Sequence, residues 1–223
     1  MNVVDNLKYV KDIVKSSANK VDRNADEITI VAVSKKVSID TIKSVYESNH
    51  NVFGESYVQE FLKKHEVSPK INWHFIGQLQ SNKVKYIVNK ISMLHSLDRP
   101  SLAKEIGKRY KEQNLALDAL LQVNIGEEIQ KGGVNPNDLF KFMDSVLETG
   151  GINVLGLMCI HPYEEPEECR KYFVKMRNLF DKVVDRGYPI KHLSMGMSSD
   201  YAQAIEEGST IVRVGSAIFG HRN

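Results

Sequence analysis

The feature that most constrains this chain is an alternation. Short apolar runs stand at 28–35, 51–54, 72–77, 93–97, 117–124, 154–160, 192–196 and 210–215, with helical patterns between most of them. The first, Ile28-Thr29-Ile30-Val31-Ala32-Val33-Ser34-Lys35, is rich in β-branched residues and apolar on both parities. A strand exposed on one face alternates apolar with polar. One that is apolar on both parities is buried on both faces, as in a parallel sheet covered by helices.

Eight such units between 28 and 220 take about 24 residues each, tight but sufficient for a (β/α)8 TIM-type barrel. A doubly wound open sheet is the other candidate, but no GxGxxG follows the first strand. Ahead of the first strand, Val3, Leu7, Val10 and Val14 recur at helical spacing among charges, predicting an extra amino-terminal amphipathic helix. Cys169, Phe173, Met176, Phe180 and Val183 mark a later helix, stopped by Gly187 and Pro189. Asn135-Pro136 before Asp138 reads as a capped helix start. No linker or repeat interrupts the pattern, so residues 1–223 are expected to form one domain.

Composition narrows the function classes. Lys+Arg number 30 and Asp+Glu 28, a formal net charge of +2, so the basic excess of a nucleic-acid binder is missing. Local pairs such as Lys63-Lys64 are expected to be solvated surface. The amino terminus breaks into charge before a signal-peptide core forms, and no apolar run approaches the roughly 20 residues that span a bilayer. Cys159 and Cys169 are too few for a disulfide framework and lack CxxC spacing. A cytoplasmic protein without a membrane partner is the expectation. The seven histidines form no HxxxH or HxH pair, so no metal site is indicated, and Gly-x-Ser-x-Gly is absent.

In a barrel of this kind, function lies at the carboxyl ends of the strands. Lys35 ends the first. Enclosed in the mouth, its amine would lose charge readily and serve as a nucleophile; alternatively it snorkels into solvent. Lys36 has the opposite parity, and at a strand end parity alone does not choose between the two. The last two strands lead into Gly196-Met197-Ser198 and Gly215-Ser216, where this fold commonly cradles phosphate. Arg213 either faces the lumen or makes a structural salt bridge. Together these residues suggest a phosphorylated carbonyl ligand held as a Schiff base.

Several segments then resemble a known family. They are Val31-Ala32-Val33-Ser34-Lys35, Phe53-Gly54-Glu55-Ser56-Tyr57-Val58-Gln59-Glu60, Trp73-His74-Phe75-Ile76-Gly77-Gln78-Leu79-Gln80-Ser81-Asn82-Lys83 and Leu193-Ser194-Met195-Gly196-Met197-Ser198-Ser199-Asp200. With Val123-Asn124-Ile125 through Lys131-Gly133, Gly156-Leu157-Met158 and Gly208 through Gly220, they resemble, in order, the pyridoxal 5′-phosphate (PLP) homeostasis proteins. The resemblance implies a barrel like the amino-terminal domain of alanine racemase (PLP fold type III). It implies a covalent aldimine to Lys35, phosphate against Ser198, Gly215 and Ser216, and the pyridine nitrogen near Arg213. Ser56, His74 and Met195 complete the implied cofactor contacts; Tyr57 and Lys131 also fall in matching segments. The family usually reads Gly-Glu-Asn where this chain has Gly54-Glu55-Ser56. Serine is shorter and makes fewer hydrogen bonds, which leaves contact at position 56 direct, water-bridged or absent.

The function so implied is a monomeric PLP carrier or buffer, not an enzyme, serving PLP-requiring apo-enzymes. A PLP-dependent amino-acid racemase is the alternative. It needs a second base, usually from a further domain for which eight barrel units leave no room here; Tyr57 or Tyr163 would have to substitute. A Schiff-base aldolase acting without PLP is a third reading.

Overall fold

The computed structural model describes residues 2–128, 130–162 and 164–220. Eight parallel strands close into a barrel in chain order. They are β1 (Thr29–Val33), β2 (Val52–Glu55), β3 (Asn72–Phe75), β4 (Met93–Leu97), β5 (Leu117–Val123), β6 (Ile152–Cys159), β7 (His192–Ser194) and β8 (Ile211–Val214). β1 closes the ring by pairing with both β2 and β8. The barrel, not the open sheet, is therefore the fold, and each strand falls on an apolar run of the sequence.

The helices are α1 (Val3–Asn19), α2 (Ile39–Glu47), α3 (Val58–Val67), α4 (Pro100–Lys111), α5 (Leu139–Thr149), α6 (Pro166–Asp185), α7 (Tyr201–Glu206) and α8 (Ser216–Phe219). Between β3 and β4 the chain makes only a 3-10 helix, Ser81–Tyr86. The start expected at Asn135-Pro136 is real, but its first turn is 3-10 (Pro136–Asp138) and α5 follows it. α6 buries Cys169, Phe173, Met176, Phe180 and Val183, as the spacing predicts.

α1 lies outside the eight units. The Asn2 side chain caps it by accepting from the Val4 and Asp5 amides. It buries Leu7, Val10 and Val14, packs against α2, α7 and α8, and donates from Asn6 Nδ2 to the Ile218 carbonyl at 2.9 Å. The amino-terminal helix thus fastens the carboxyl-terminal end of the barrel.

Alternation along each strand splits the core in two. Residues such as Ala32, Phe53, Trp73, Phe75, Leu121, Leu157 and Val212 face the helices in one large apolar shell. Val31, Met93, Leu120, Met158 and Ile211 form a small separate cluster filling the lumen. Phe53, Trp73 and Phe61 hold the shell on the β2–β3 side, with ring centroids 5.9 Å apart for Trp73 with each phenylalanine. Burying such a ring stabilises by about 1.5–3 kcal/mol.

Candidate functional site

On β1, Val31 packs in the lumen, whereas Ser34, on the other parity, bonds outward to groups carried by β2 and α3. Lys35 and Lys36 lie beyond the strand, in the turn that follows it, where strand alternation no longer applies. Lys35 is exposed, which matches the solvent-reaching alternative rather than enclosure in the mouth.

The turn that presents Lys35 is clamped from behind. Lys64 on α3 donates to the Ser34 carbonyl, Glu55 Oε1 and Glu60 Oε1, each at 2.7 Å. Ser34 Oγ donates to Glu55 Oε1 at 2.7 Å, and the Lys36 amide, in the left-handed region at φ 59°, donates to Glu60. Burial raises the Glu55 pKa, while bonds from Lys64 and Ser34 pull it back. Lys63-Lys64 is thus not simply solvated surface: Lys63 is exposed but Lys64 is buried, its charge matched by two carboxylates. Sequence alone missed this because i, i+4 spacing links Lys64 only to Glu60, and Glu55 arrives through the fold.

Above the apolar plug, the lumen turns polar. Arg213 is buried, with Nη1 donating to Ser194 Oγ at 2.7 Å and Nη2 to the Cys159 carbonyl at 2.8 Å. Ser194 Oγ lies 3.1 Å from His95 Nδ1, and His95 Nε2 lies 3.0 Å from His74 Nδ1. Of His95 Nε2 and His74 Nδ1, which face each other, one donates and the other accepts through a lone pair. Burial favours neutral rings, holding His74 at about 4 and His95 well below the ordinary histidine value. Burial also lowers the Arg213 pKa, partly offset by Cys159 and Asp200. Among the described residues Arg213 makes no ion pair, so of its two expected roles it takes the lumen-facing one.

Across the β7 and β8 ends, Ser198 Oγ accepts from the Gly215 amide at 2.9 Å and the Ala217 amide at 3.4 Å. Gly196 allows the approach, its φ of +90° lying in the region that favours glycine. Ser216 opens α8 and is exposed. Met195 is different: its side chain is fully buried in the helix-side shell, so only its backbone faces the mouth.

A cavity of about 380 Å³ opens over the other half of the mouth, lined in part by Ser56, Ile76, Gly77, Gln122, Gly132 and Ile160. Gly77 is required there, because a Cβ would stand 2.2 Å from the Ser56 carbonyl oxygen. Of the residues singled out in the sequence, Ser56 and Lys131 line this cavity. β1 lies between β2 and β8 in the ring, so the turn that carries Lys35 follows a strand between those that lead to Ser56 and to Gly215. Tyr57 is exposed beside a second cleft of about 470 Å³ that also reaches Ser56 and Lys83. Lys131 Nζ donates to the His161 carbonyl at 3.0 Å. Tyr163 lies outside the described residues.

The structure also assembles groups that the sequence left scattered. His161, Cys169 and Asp200, all buried, bring their donor atoms within 4.8 Å of one another, although no metal spacing links them along the chain. Among the described residues, no helix is long and apolar enough to cross a membrane.

The barrel, with a lysine in the turn after β1 and polar groups at the ends of β7 and β8, matches a known class. The profile of the alanine racemase N-terminal domain matches residues 11–223. Alanine racemase of Clostridium difficile 630 shares the fold, with a TM-score of 0.73 at 18% identity over 98% of this chain and 57% of that one. More specifically, the pyridoxal phosphate homeostasis protein of Aquifex aeolicus is 44% identical over 100% of this chain and 99% of its own length. PipY of Synechococcus elongatus PCC7942, solved with PLP bound, is 29% identical with a TM-score of 0.81, over 93% of this chain and 100% of that one. This chain belongs to the pyridoxal phosphate homeostasis protein family.

Proposed function

We propose that this chain binds PLP at the barrel mouth as a reversible Schiff base on Lys35 and serves PLP homeostasis as a carrier rather than an enzyme. The residues fit the group. Lys35 offers an exposed amine in the turn after β1, the Ser198 hydroxyl gathers the Gly215 and Ala217 amides at the ends of β7 and β8, and Ser56 borders a cavity of suitable size for a small cofactor. The PLP-bound PipY structure supports the same reading.

The observation that carries the carrier assignment is Arg213. Among the described residues its guanidinium is bonded only to neutral acceptors, Ser194 Oγ and the Cys159 carbonyl. PLP, when bound, supplies an electron sink whose strength depends on protonation of the ring nitrogen. A fixed cation facing that nitrogen opposes protonation and weakens the sink. Arg213 also cannot take up a proton, and the neutral His95–His74 chain behind it supplies no acid. This chain then holds the cofactor without driving carbanion chemistry.

We take the protein to act as one domain over residues 1–223, a monomer in the cytoplasm that yields PLP to apo-enzymes. Its two cysteines, both free and buried, accord with a reducing compartment. The test is to incubate a single alanine enantiomer with the PLP-loaded protein in heavy water. Cα exchange no faster than with free PLP is the expected result. Rapid deuterium incorporation with loss of optical rotation would establish the racemase instead.

A further inference from the structure

The buried trio beside the mouth carries an inference independent of what binds at Lys35. His161 follows β6, Cys169 lies in the first turn of α6, and Asp200 precedes α7. Their exposures are 4%, 0% and 2%. His161 Nδ1 lies 2.6 Å from the Pro162 carbonyl oxygen, which can only accept, so Nδ1 carries a proton. The ring is held by Tyr172 stacked on it at 5.9 Å and Phe173 edge-on at 5.1 Å.

That orientation aims Nε2 at Asp200 Oδ2, 3.4 Å away, yet Nε2 is a buried atom with no hydrogen-bond partner. In a neutral ring, Nε2 is a lone pair facing a carboxylate, and the Cys169 sulfur closes the same triangle. Two acceptors and a sulfur pointed at one another are matched by a positive centre between them, either a proton or a metal cation. Asp200 is already set for this: Oδ1 accepts from the Met197 amide at 2.8 Å and Oδ2 from Ser199 Oγ at 2.9 Å.

We propose that His161 Nε2, Cys169 Sγ and an Asp200 carboxylate oxygen form a binding site for a zinc-class divalent cation. With all three atoms within 4.8 Å of one another, some point lies no more than about 2.8 Å from each, against about 2.0–2.3 Å for zinc bonds. Contraction by about 0.5–0.8 Å completes the site. A nitrogen, a sulfur and an oxygen favour zinc or cobalt over calcium or magnesium, which take oxygen alone. The thiol now donates to the Glu164 carbonyl at 3.4 Å; on binding, its proton goes to solvent and the thiolate bonds the metal. One thiolate and one carboxylate then neutralise the dication, so the loaded site has no net charge to bury. Three protein donors leave a fourth tetrahedral position for water.

The site would brace the loop that carries Ser198, because Asp200 holds the Met197 amide next to it. The test uses the reduced full-length protein free of PLP. Cobalt(II) is added first and zinc(II) then displaces it. The expected result is a saturable one-to-one spectrum with a thiolate-to-cobalt charge-transfer band, lost in Cys169→Ser. Zinc affinity should fall by more than the roughly 10–100-fold typical of removing an outer-shell partner, in both Cys169→Ser and His161→Gln. Should those variants not fold, wild type still decides: zinc must release a proton into weakly buffered solution and raise the melting temperature, reversibly on chelation. The absence of a saturable band, or a band that persists in Cys169→Ser, overturns the site.

Discussion

Each barrel strand shows two faces that obey different rules. The face toward the helices is an almost unbroken apolar shell, in which Phe53, Phe61, Trp73 and Phe75 are entirely buried. The lumen face has five buried apolar residues in its plug, and above them come His74, His95, Ser194, Gln122 and Arg213. Burial of a hydrocarbon is favourable wherever it happens, whereas a buried polar group is tolerated only with partners in place. The shell therefore supplies stability from many interchangeable contacts. The lumen commits to one specific chain of hydrogen bonds, and that chain ends at the mouth.

The contrast can be broken or sharpened by substitution. Trp73→Ala should have the largest effect on folding, lowering stability by about 3–5 kcal/mol in urea unfolding while the residual folded protein keeps its PLP affinity. A loss of affinity without a loss of stability would erase the distinction between the faces. Lys64→Met should also cost about 3–5 kcal/mol, because Glu55 is left buried and uncompensated. It should in addition loosen the turn that presents Lys35, so its PLP affinity falls where that of Trp73→Ala does not.

The lumen histidines set a pH dependence. His74 sits at about 4 when folded against 6.5 ordinarily, so between these values the unfolded chain takes up the proton and the folded chain does not. Stability should be complete above pH 6.5 and decline as pH falls toward 4, by on the order of 3 kcal/mol from this group. Urea midpoints across that range measure the slope, and flat midpoints would contradict neutral, buried histidines. Arg213→Met should cost about 1–3 kcal/mol through the Cys159 carbonyl and Ser194 hydroxyl that lose their donor. It should also raise the PLP Kd about tenfold and the pKa of the ring nitrogen, both read from absorption titrations. Unchanged binding and spectrum would place Arg213 away from the ring. Smallest is Ser56→Asn, which restores the residue usual in the family and should tighten PLP by about 0.5–1.5 kcal/mol without changing the melting temperature.

Much of the fold was legible because its cause is local. Short apolar runs located all eight strands, the 3.6-residue period located the buried stripe of α6, and the Asn135-Pro136 signal found a true helix start. At the site, the strand ends pointed to Lys35, Ser198, Arg213 and Gly215 through position in a barrel, and resemblance added their roles. What was not legible depends on closure in three dimensions. His74, His95, Ser194 and Arg213 become a chain only when β3, β4, β7 and β8 surround one lumen. Lys64 looked like surface because its partner Glu55 comes from the neighbouring strand. Met195 sits in a segment matching the family, yet parity turns its side chain to the shell. His161, Cys169 and Asp200 share no spacing rule, since three separate loop and helix ends bring them together.

The central claim is that Lys35, and not its neighbour Lys36, is the amine that holds PLP. Its most direct test is borohydride reduction of the PLP-saturated protein followed by peptide mapping. One pyridoxyl group on Lys35, absent in Lys35→Ala and retained in Lys36→Ala, is the expected result. A label on Lys36, or no label at saturating PLP, would contradict it.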